Sequence, residues 1–399
     1  MLIELPQIAL VLVHGAHRDA ATAVARHLFD GSEILDMTAV ERDQLLRLTA
    51  DRSRHGWMTV IVEGGSPAGA HKLRVALASE ARENYVRRFA LILPDAYAGE
   101  PNIAARLRAD GYREVMELAS SDIDALRLER QRMPTDLRHE SGPFDIIGDV
   151  HGCASELETL LARLGYSVAF KGKKPKRTVR VSCPPGRRII FVGDLVDRGP
   201  RAADTLRIVL SMVEDGSALL VPGNHDVKFL RWLKGEKVAI THGLDVTVRD
   251  LKGESDQFLT SVREMLQRLW SHVWVDGGEL AVAHAGLLQG MIGRATPRVR
   301  RFCLYGDTSG EKDEHGLPQR YHWALEYAGE TAVIYGHTPV AQAQWVNNTL
   351  CVDTGCCFGG SLTALRWPER EIVAVAAERA YARSIRPFGH PPPRPIQVP

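Results

Sequence analysis

The chain has 399 residues, 45% of them hydrophobic and 25% charged, with a formal net charge of +1. That size and balance describe an ordinary globular protein of two or more domains, with no overall electrostatic pull toward nucleic acid, so any polyanion contact must come from a local patch. Cys153, Cys183, Cys303, Cys351, Cys356 and Cys357 lack the spacing of a zinc ribbon or a secreted disulfide frame, and the chain shows neither a leader pattern nor a run of membrane-spanning length, so a cytoplasmic enzyme with no membrane partner is expected.

In the first 140 residues, apolar runs at 8–13, 59–62 and 89–93 predict buried parallel strands, with helices over 20–28 and 68–82 between them. This predicts a doubly wound α/β domain. Its first strand-to-helix turn, His14-Gly15-Ala16-His17-Arg18-Asp19-Ala20-Ala21-Thr22, stands where a phosphate-binding loop would lie, and Gly15 and Thr22 fit one. Ala20 replaces the second glycine, Ala21 replaces the lysine, and Asp19 brings negative charge to the place of the phosphates. The expectation is a P-loop-like fold whose nucleotide site is dismantled; the alternative is a domain that never bound nucleotide. A polar connection follows over 120–142.

The second domain, 141–383, opens with Phe144-Asp145-Ile146-Ile147, an apolar run that delivers Asp149 and His151. Four later runs end in the same way, at Asp194, at Asn224, at His284 and at His337. Two divalent cations about 3.5 to 4 Å apart need a bridging carboxylate, with imidazole, carboxylate and amide ligands for the remaining positions. Asp149 and His151, two apart on an extended strand end, would grip one ion together. Asp194 is the expected bridge, and Asn224, His284 and His337 would complete the second ion. A metal-bound hydroxide would attack phosphorus, and His225 would protonate the leaving oxygen. Asp197 would orient His225, and Arg198 would clamp the phosphate.

Between the first two motifs, residues 171–188 carry eight Lys or Arg and no acid, which reads either as a solvated hairpin or as a contact for a substrate phosphate backbone. The last sixteen residues, 384–399, hold six prolines and predict an extended or disordered tail.

Residues 142–153, Gly193 through Pro200, Val221 through Asp226 with Thr241-His242-Gly243-Leu244, and Leu304-Tyr305-Gly306-Asp307-Thr308 resemble the phosphatase module of bacterial polynucleotide kinase-phosphatase. So do Tyr335 through Pro339, Trp345 through Thr349 and Val352 through Cys356; the likeness covers about 142–383. The resemblance implies a four-layer α/β/β/α metallophosphoesterase sandwich, with helices outside two packed sheets. It also implies manganese, or alternatively nickel, iron or zinc, and removal of 2′,3′-cyclic, 2′- or 3′-phosphate from RNA ends. It supports Asp149, His151, Asp194, Asn224, His284 and His337 as ligands, with Arg198, His225 and Asp353 near the phosphate. The N-terminal segment is similar to that family's kinase in strand order, but the altered loop and a shorter stretch after Pro94 mean that kinase activity is not expected. No ligase-like domain follows the tail in this sequence, so a separate RNA-repair protein is an expected partner. Two other readings share the metal motifs or the domain pattern: a phosphoesterase for dinucleoside polyphosphates or phosphoproteins, and an N-terminal module that docks RNA or protein.

Overall fold

The structure, a computed structural model, describes residues 1–37, 40–64, 70–98, 102–118 and 123–394. The chain divides into two compact units, Met1–Pro134 and Thr135–Pro399. The division falls a few residues before the expected 140, because Asp136 forms a bridge with Trp274 and the Leu137 N–H donates to the Trp274 carbonyl. Those contacts tie the connection to the second unit.

The first unit is built on five parallel strands in the spatial order Ile34–Asp36, Thr59–Gly64, Ala9–Gly15, Arg87–Ile92 and Glu114–Glu117. Alternation along the central strand explains why helices cover both faces. Val11 and Val13 pack with Ala21, Val24 and Leu28 of the helix Arg18–Leu28, whereas Leu10 and Leu12 pack with Leu45, Leu77 and Leu107 from three other helices. The helix expected over 68–82 is observed over His71–Glu83; residues 65–69 lie outside the described set. Two strands of the sheet, Ile34–Asp36 and Glu114–Glu117, are too short and polar to stand out in sequence. The polar connection also needs correction: Arg127–Gln131 is a strand, paired in parallel with Leu2–Pro6. Leu126, Ile3 and Leu5, all fully buried, hold that ribbon down.

The second unit packs two sheets face to face. One runs Ala218–Leu220, Arg188–Phe191, Phe144–Ile147, Ser361–Trp367 and Asp353–Thr354, with Glu371–Ala376 also paired to Ser361–Trp367. The other runs His272–Val275, Leu280–Ala283, Ala332–Tyr335, Thr349–Cys351 and Trp345–Val346. Phe144, Ile146, Ile190 and Leu365 of the first meet Val273, Val282, Ile334 and Leu350 of the second. The alternate residues Ile147, Ile189 and Phe191 face the helices Ala154–Leu164 and Ala202–Glu214. The helix Pro297–Tyr305 and the turn Trp323–Glu326 lie by the second sheet, where the Ala285 N–H donates to Cys303 and the Trp323 ring meets Tyr335. Parallel strands buried on both faces leave polar groups one outlet, the strand ends, and the site forms there.

Described tail residues 384–394 have no regular structure but are packed: Phe388 lies 6.0 Å from the Phe358 ring and the Gly389 N–H donates to the Pro339 carbonyl. Among the described residues, no helix is long and apolar enough to cross a membrane.

Candidate metal centre

Asp149, Asp194, His284 and His337 each follow a buried strand, and Asn224 opens the helix Asn224–Leu233. The fold gathers His151, His284, His337 and Asn224 around Asp194, while Asp149 lies against the His337 backbone. Asp194 Oδ2 lies 3.4 Å from His151 Nε2 and its Oδ1 lies 3.4 Å from His284 Nε2. His284 Nε2 is in turn 3.0 Å from His337 Nδ1 and 3.1 Å from Asn224 Oδ1. Donor atoms of His151, Asp194 and His225 lie within 4.8 Å of one another, as do those of Asp194, His284 and His337. Asp194 belongs to both groups, which is what a bridging ligand requires.

The chemistry of this donor set fits a metal. His151 and His284 each direct Nδ1 to a backbone carbonyl, of Val196 at 2.8 Å and of Val192 at 3.0 Å. That bond places the proton on Nδ1 and leaves a lone pair on Nε2 aimed at the centre. His284 Nε2 and Asn224 Oδ1 are then acceptors facing each other with no hydrogen between them, an arrangement that calls for a cation. Burial holds the imidazoles of His151, His284 and His337 below their usual pKa, hence neutral and ready to ligate. Burial, together with Asp353 and Asp194, raises the Asp149 carboxyl well above the usual range, and burial pushes Asp353 to about 7. Burial acts on Asp194 in the same direction, but His284, His225, His151 and His337 around it bring it below the usual value. Positive charge at the centre would relieve both acids.

Local backbone geometry explains the spacing. Of ten described non-glycine residues with positive φ, five are His151, Asp194, Asp197, Arg198 and His337. His151 therefore does not continue an extended strand beside Asp149, as its spacing predicts; it sits at φ 47, and its N–H donates to the Asp194 carbonyl. Asp149 accepts instead from the His337 N–H, at 3.1 and 3.3 Å to its two oxygens. Two glycines make room for the carboxylates: a Cβ on Gly336 would lie 2.0 Å from Asp149 Oδ1, and one on Gly223 would lie 2.1 Å from Asp194 Oδ1. The first turn of the helix Asn224–Leu233 contributes as well, since the His225 N–H donates to Asp194 Oδ1 at 2.9 Å.

A second layer positions the expected acid. His225 Nδ1 lies 2.6 Å from Asp197 Oδ2, and Asp197 Oδ1 accepts from the Thr247 hydroxyl at 2.9 Å. The Asp197 N–H returns to Thr247 Oγ1 at 2.8 Å, so the carboxylate cannot rotate freely. Arg198 donates to His225 Nε2 at 3.0 Å, contacts His151 Nε2, and rests over the Phe358 ring at 4.9 Å. Its guanidinium is thus a cation already facing the first ligand group. Asp353, after the second sheet's Thr349–Cys351 strand, is held by the Gly355 N–H at 3.0 Å.

Sequence reasoning gave no role to Thr247 or Asp226. Asp226 accepts from the N–H groups of Leu195 and Gly223, each at 2.9 Å, and so ties the loop after Asp194 to the loop before Asn224. Its place three residues after Gly223 is a capping pattern that could have been found. Thr247 had no such signal. A third group, Cys153, Glu156 and Cys356, is close enough to hold an ion. Its Cys153 thiol is held protonated by the hydrogen bond to Cys356 and by burial, and Glu156 already accepts from Tyr381 and the Glu378 N–H. All six cysteines are free. The basic stretch 171–188 forms a hairpin whose cations are partly spent on the protein's own acids: Arg177 on Asp204, Lys174 on Asp250 and Glu254, Arg187 on Asp145, Arg188 on Glu140.

The family model for calcineurin-like phosphoesterases matches residues 142–341, half of the chain. The chain belongs to the calcineurin-like phosphoesterase family. It is a hydrolase of phosphoesters, and the family's centre is binuclear. A protein of Anoxybacillus flavithermus named bis(5′-nucleosyl)-tetraphosphatase PrpE [asymmetrical] is 42% identical over 250 residues, 61% of this chain and 99% of that one. The Bacillus subtilis protein of the same name is 42% identical over 245 residues, 60% of this chain and 97% of that one. A solved structure of a proposed diadenosine tetraphosphatase aligns with TM-score 0.43 and 25% identity over 61% of this chain and 97% of that one.

Proposed function

We propose that the second unit hydrolyses phosphate groups on nucleotides, with RNA ends bearing 2′,3′-cyclic, 2′- or 3′-phosphate as the substrate its geometry favours. Asp149, His151, Asp194, Asn224, His284 and His337 would hold two divalent ions, manganese first among the alternatives. Bound there, such ions would lower the pKa of a water and offset charge on the phosphoryl oxygens. The protein's own groups do the rest. Arg198, which here donates to His225 Nε2, would turn its guanidinium to the phosphoryl oxygens, the Asp197–Thr247 pair holds His225, and His225, having taken a solvent proton on the freed Nε2, would pass it to the departing oxygen. That held acid carries the reading. A ribose alkoxide leaves poorly without a proton, whereas a nucleoside di- or triphosphate leaves as a stable anion and gains little from an acid.

A second reading, hydrolysis of a dinucleoside tetraphosphate, is favoured by the printed names of relatives that align over nearly their whole length. Turnover of 3′-phosphorylated and cyclic-phosphate oligoribonucleotides, set beside diadenosine tetraphosphate with manganese, decides between them. Faster tetraphosphate turnover by the measure of kcat/KM would reverse our order.

We read the first unit as a P-loop-like fold closed to nucleotide. Asp95 Oδ1 lies 3.3 Å from the Ala16 N of the loop, where a phosphate oxygen would be, and Arg18 packs so tightly on Gly64 that a Cβ there would sit 2.3 Å from its Cα. Failure to phosphorylate a 5′-hydroxyl oligonucleotide is the expected outcome. A cytoplasmic role beside a separate RNA-repair protein completes the proposal.

A further inference from the structure

Beside His337 a cleft opens whose other residues the hydrolytic mechanism does not use. It is lined by Tyr305, Arg320, Tyr321, His322, His337 and His390. One wall is the tail: His390 stacks on His322 at 4.1 Å, and the Pro392 carbonyl accepts from the His322 N–H. The tail also settles the charge of the cleft. Arg394 pairs with Asp307 and lies over the Tyr321 ring, and Arg386 pairs with Asp313 at 2.5 Å. Both nearby acids are thereby occupied.

Arg320 has no such partner. Its Nε–H donates to the Tyr305 carbonyl at 3.2 Å, and among the described residues it makes no ion pair. The two terminal nitrogens of its fork are left for a ligand. Burial and the neighbouring Arg386 lower its pKa to about 10, against the opposing pull of Asp313 and Asp194, so it stays a cation at neutral pH and an anion placed against it would be favoured. The cleft adjoins a metal ligand at the end of the cluster away from His225, and the Tyr305 and His337 ring centroids are 6.4 Å apart. A free guanidinium fork is matched to the paired oxygens of a phosphate.

We propose that Arg320 binds a second phosphate of the substrate, one beyond the phosphorus under attack, and that this cleft selects nucleotides carrying two or more phosphates. The inference rests on the nucleotide reading above. The second phosphate could belong to an RNA chain or to a polyphosphate bridge.

The test measures kcat/KM of the full chain with manganese on two pairs: adenosine 3′-monophosphate against adenosine 3′,5′-bisphosphate, and the p-nitrophenyl ester of thymidine 5′-monophosphate against diadenosine tetraphosphate. Only the second member of each pair has a phosphate beyond the scissile one. The wild type is expected to prefer that member in at least one pair, and the pair concerned identifies the source. Arg320→Gln should cut the preference about tenfold or more, mainly through KM, and Arg320→Lys should keep part of it. Equal losses on both members, or no wild-type preference in either pair, overturn the assignment while leaving the nucleotide reading in place. Turnover of p-nitrophenyl phosphate with none of the four nucleotides overturns that reading and this inference together.

Discussion

Both units bring charged side chains to the ends of buried parallel strands, and they treat them in opposite ways. In the first, His14 Nδ1 lies 2.8 Å from Glu63, Glu63 accepts from Arg74 at 2.9 Å, Arg74 pairs with Asp110 at 2.5 Å, and Asp110 meets His71 at 2.6 Å. Glu63, Arg74 and Asp110 are buried, and both carboxylates of this network have partners. In the second, the acceptors Asn224 Oδ1 and Asp194 Oδ1 face the lone pair of His284 Nε2 at 3.1 and 3.4 Å. A closed network stabilises the fold and is silent; an acceptor-rich one waits for cations and can work. The same strand-end logic thus yields a scaffold in one place and a reaction centre in another.

The largest test of that contrast is Asp194→Ala. Losing the one donor shared by both groups should lower turnover on the order of 10³-fold or more and remove bound metal, measured by elemental analysis beside activity. Wild-type metal content would sink the bridge assignment. His225→Ala should cost about 10²- to 10⁴-fold on ribose phosphates and far less on p-nitrophenyl phosphate, whose leaving group needs no proton. Equal losses on both would deny His225 the part of acid.

The first unit should respond in stability alone. Arg74→Met leaves Glu63 and Asp110 buried without their cation, at a cost of about 3 to 5 kcal/mol. Hydrogen exchange should speed up within residues 1–134 while kcat in the second unit stays level; a fall in kcat would mean the closed network does more than hold the fold.

The smallest effect concerns His272, fully buried in the second unit, where burial lowers its pKa to about 3 and Nε2 accepts from the Gly293 N–H at 3.0 Å. The unfolded imidazole takes up its proton near pH 6.5, the folded one only near 3. Its contribution to stability is therefore complete above about pH 6.5 and declines as pH falls toward 3, by at most about 1.4 kcal/mol per unit. Thermal unfolding between pH 7 and pH 5 should steepen for the wild type relative to His272→Gln. An identical slope in the two proteins would mean that this imidazole is not held neutral.

Much of this was legible in the chain because strong local signals carried it. Apolar runs stopping at Asp, Asn or His marked the strands around the site, whereas the close approaches at Gly148, Gly193, Gly223 and Gly336 beside those stops are seen only in the structure. The strands Leu2–Pro6 and Arg127–Gln131 were not legible, since half of a surface ribbon's residues are polar and the partners are over a hundred residues apart. Nor was the turn at His151, because two residues between ligands is consistent with an extended strand as well as with a left-handed bend.

The amino-acid order by itself determined which residue types stand at the strand ends, and so the class of chemistry, because burial on both faces of a parallel sheet leaves polar side chains no other position. Only the tertiary structure decided which donors gather on either side of Asp194, that Thr247 fixes Asp197, and that the proline-rich tail occupies Asp307 and Asp313 while, among the described residues, Arg320 makes no ion pair. Those outcomes depend on distances between segments remote in sequence, which folding sets and no local pattern records.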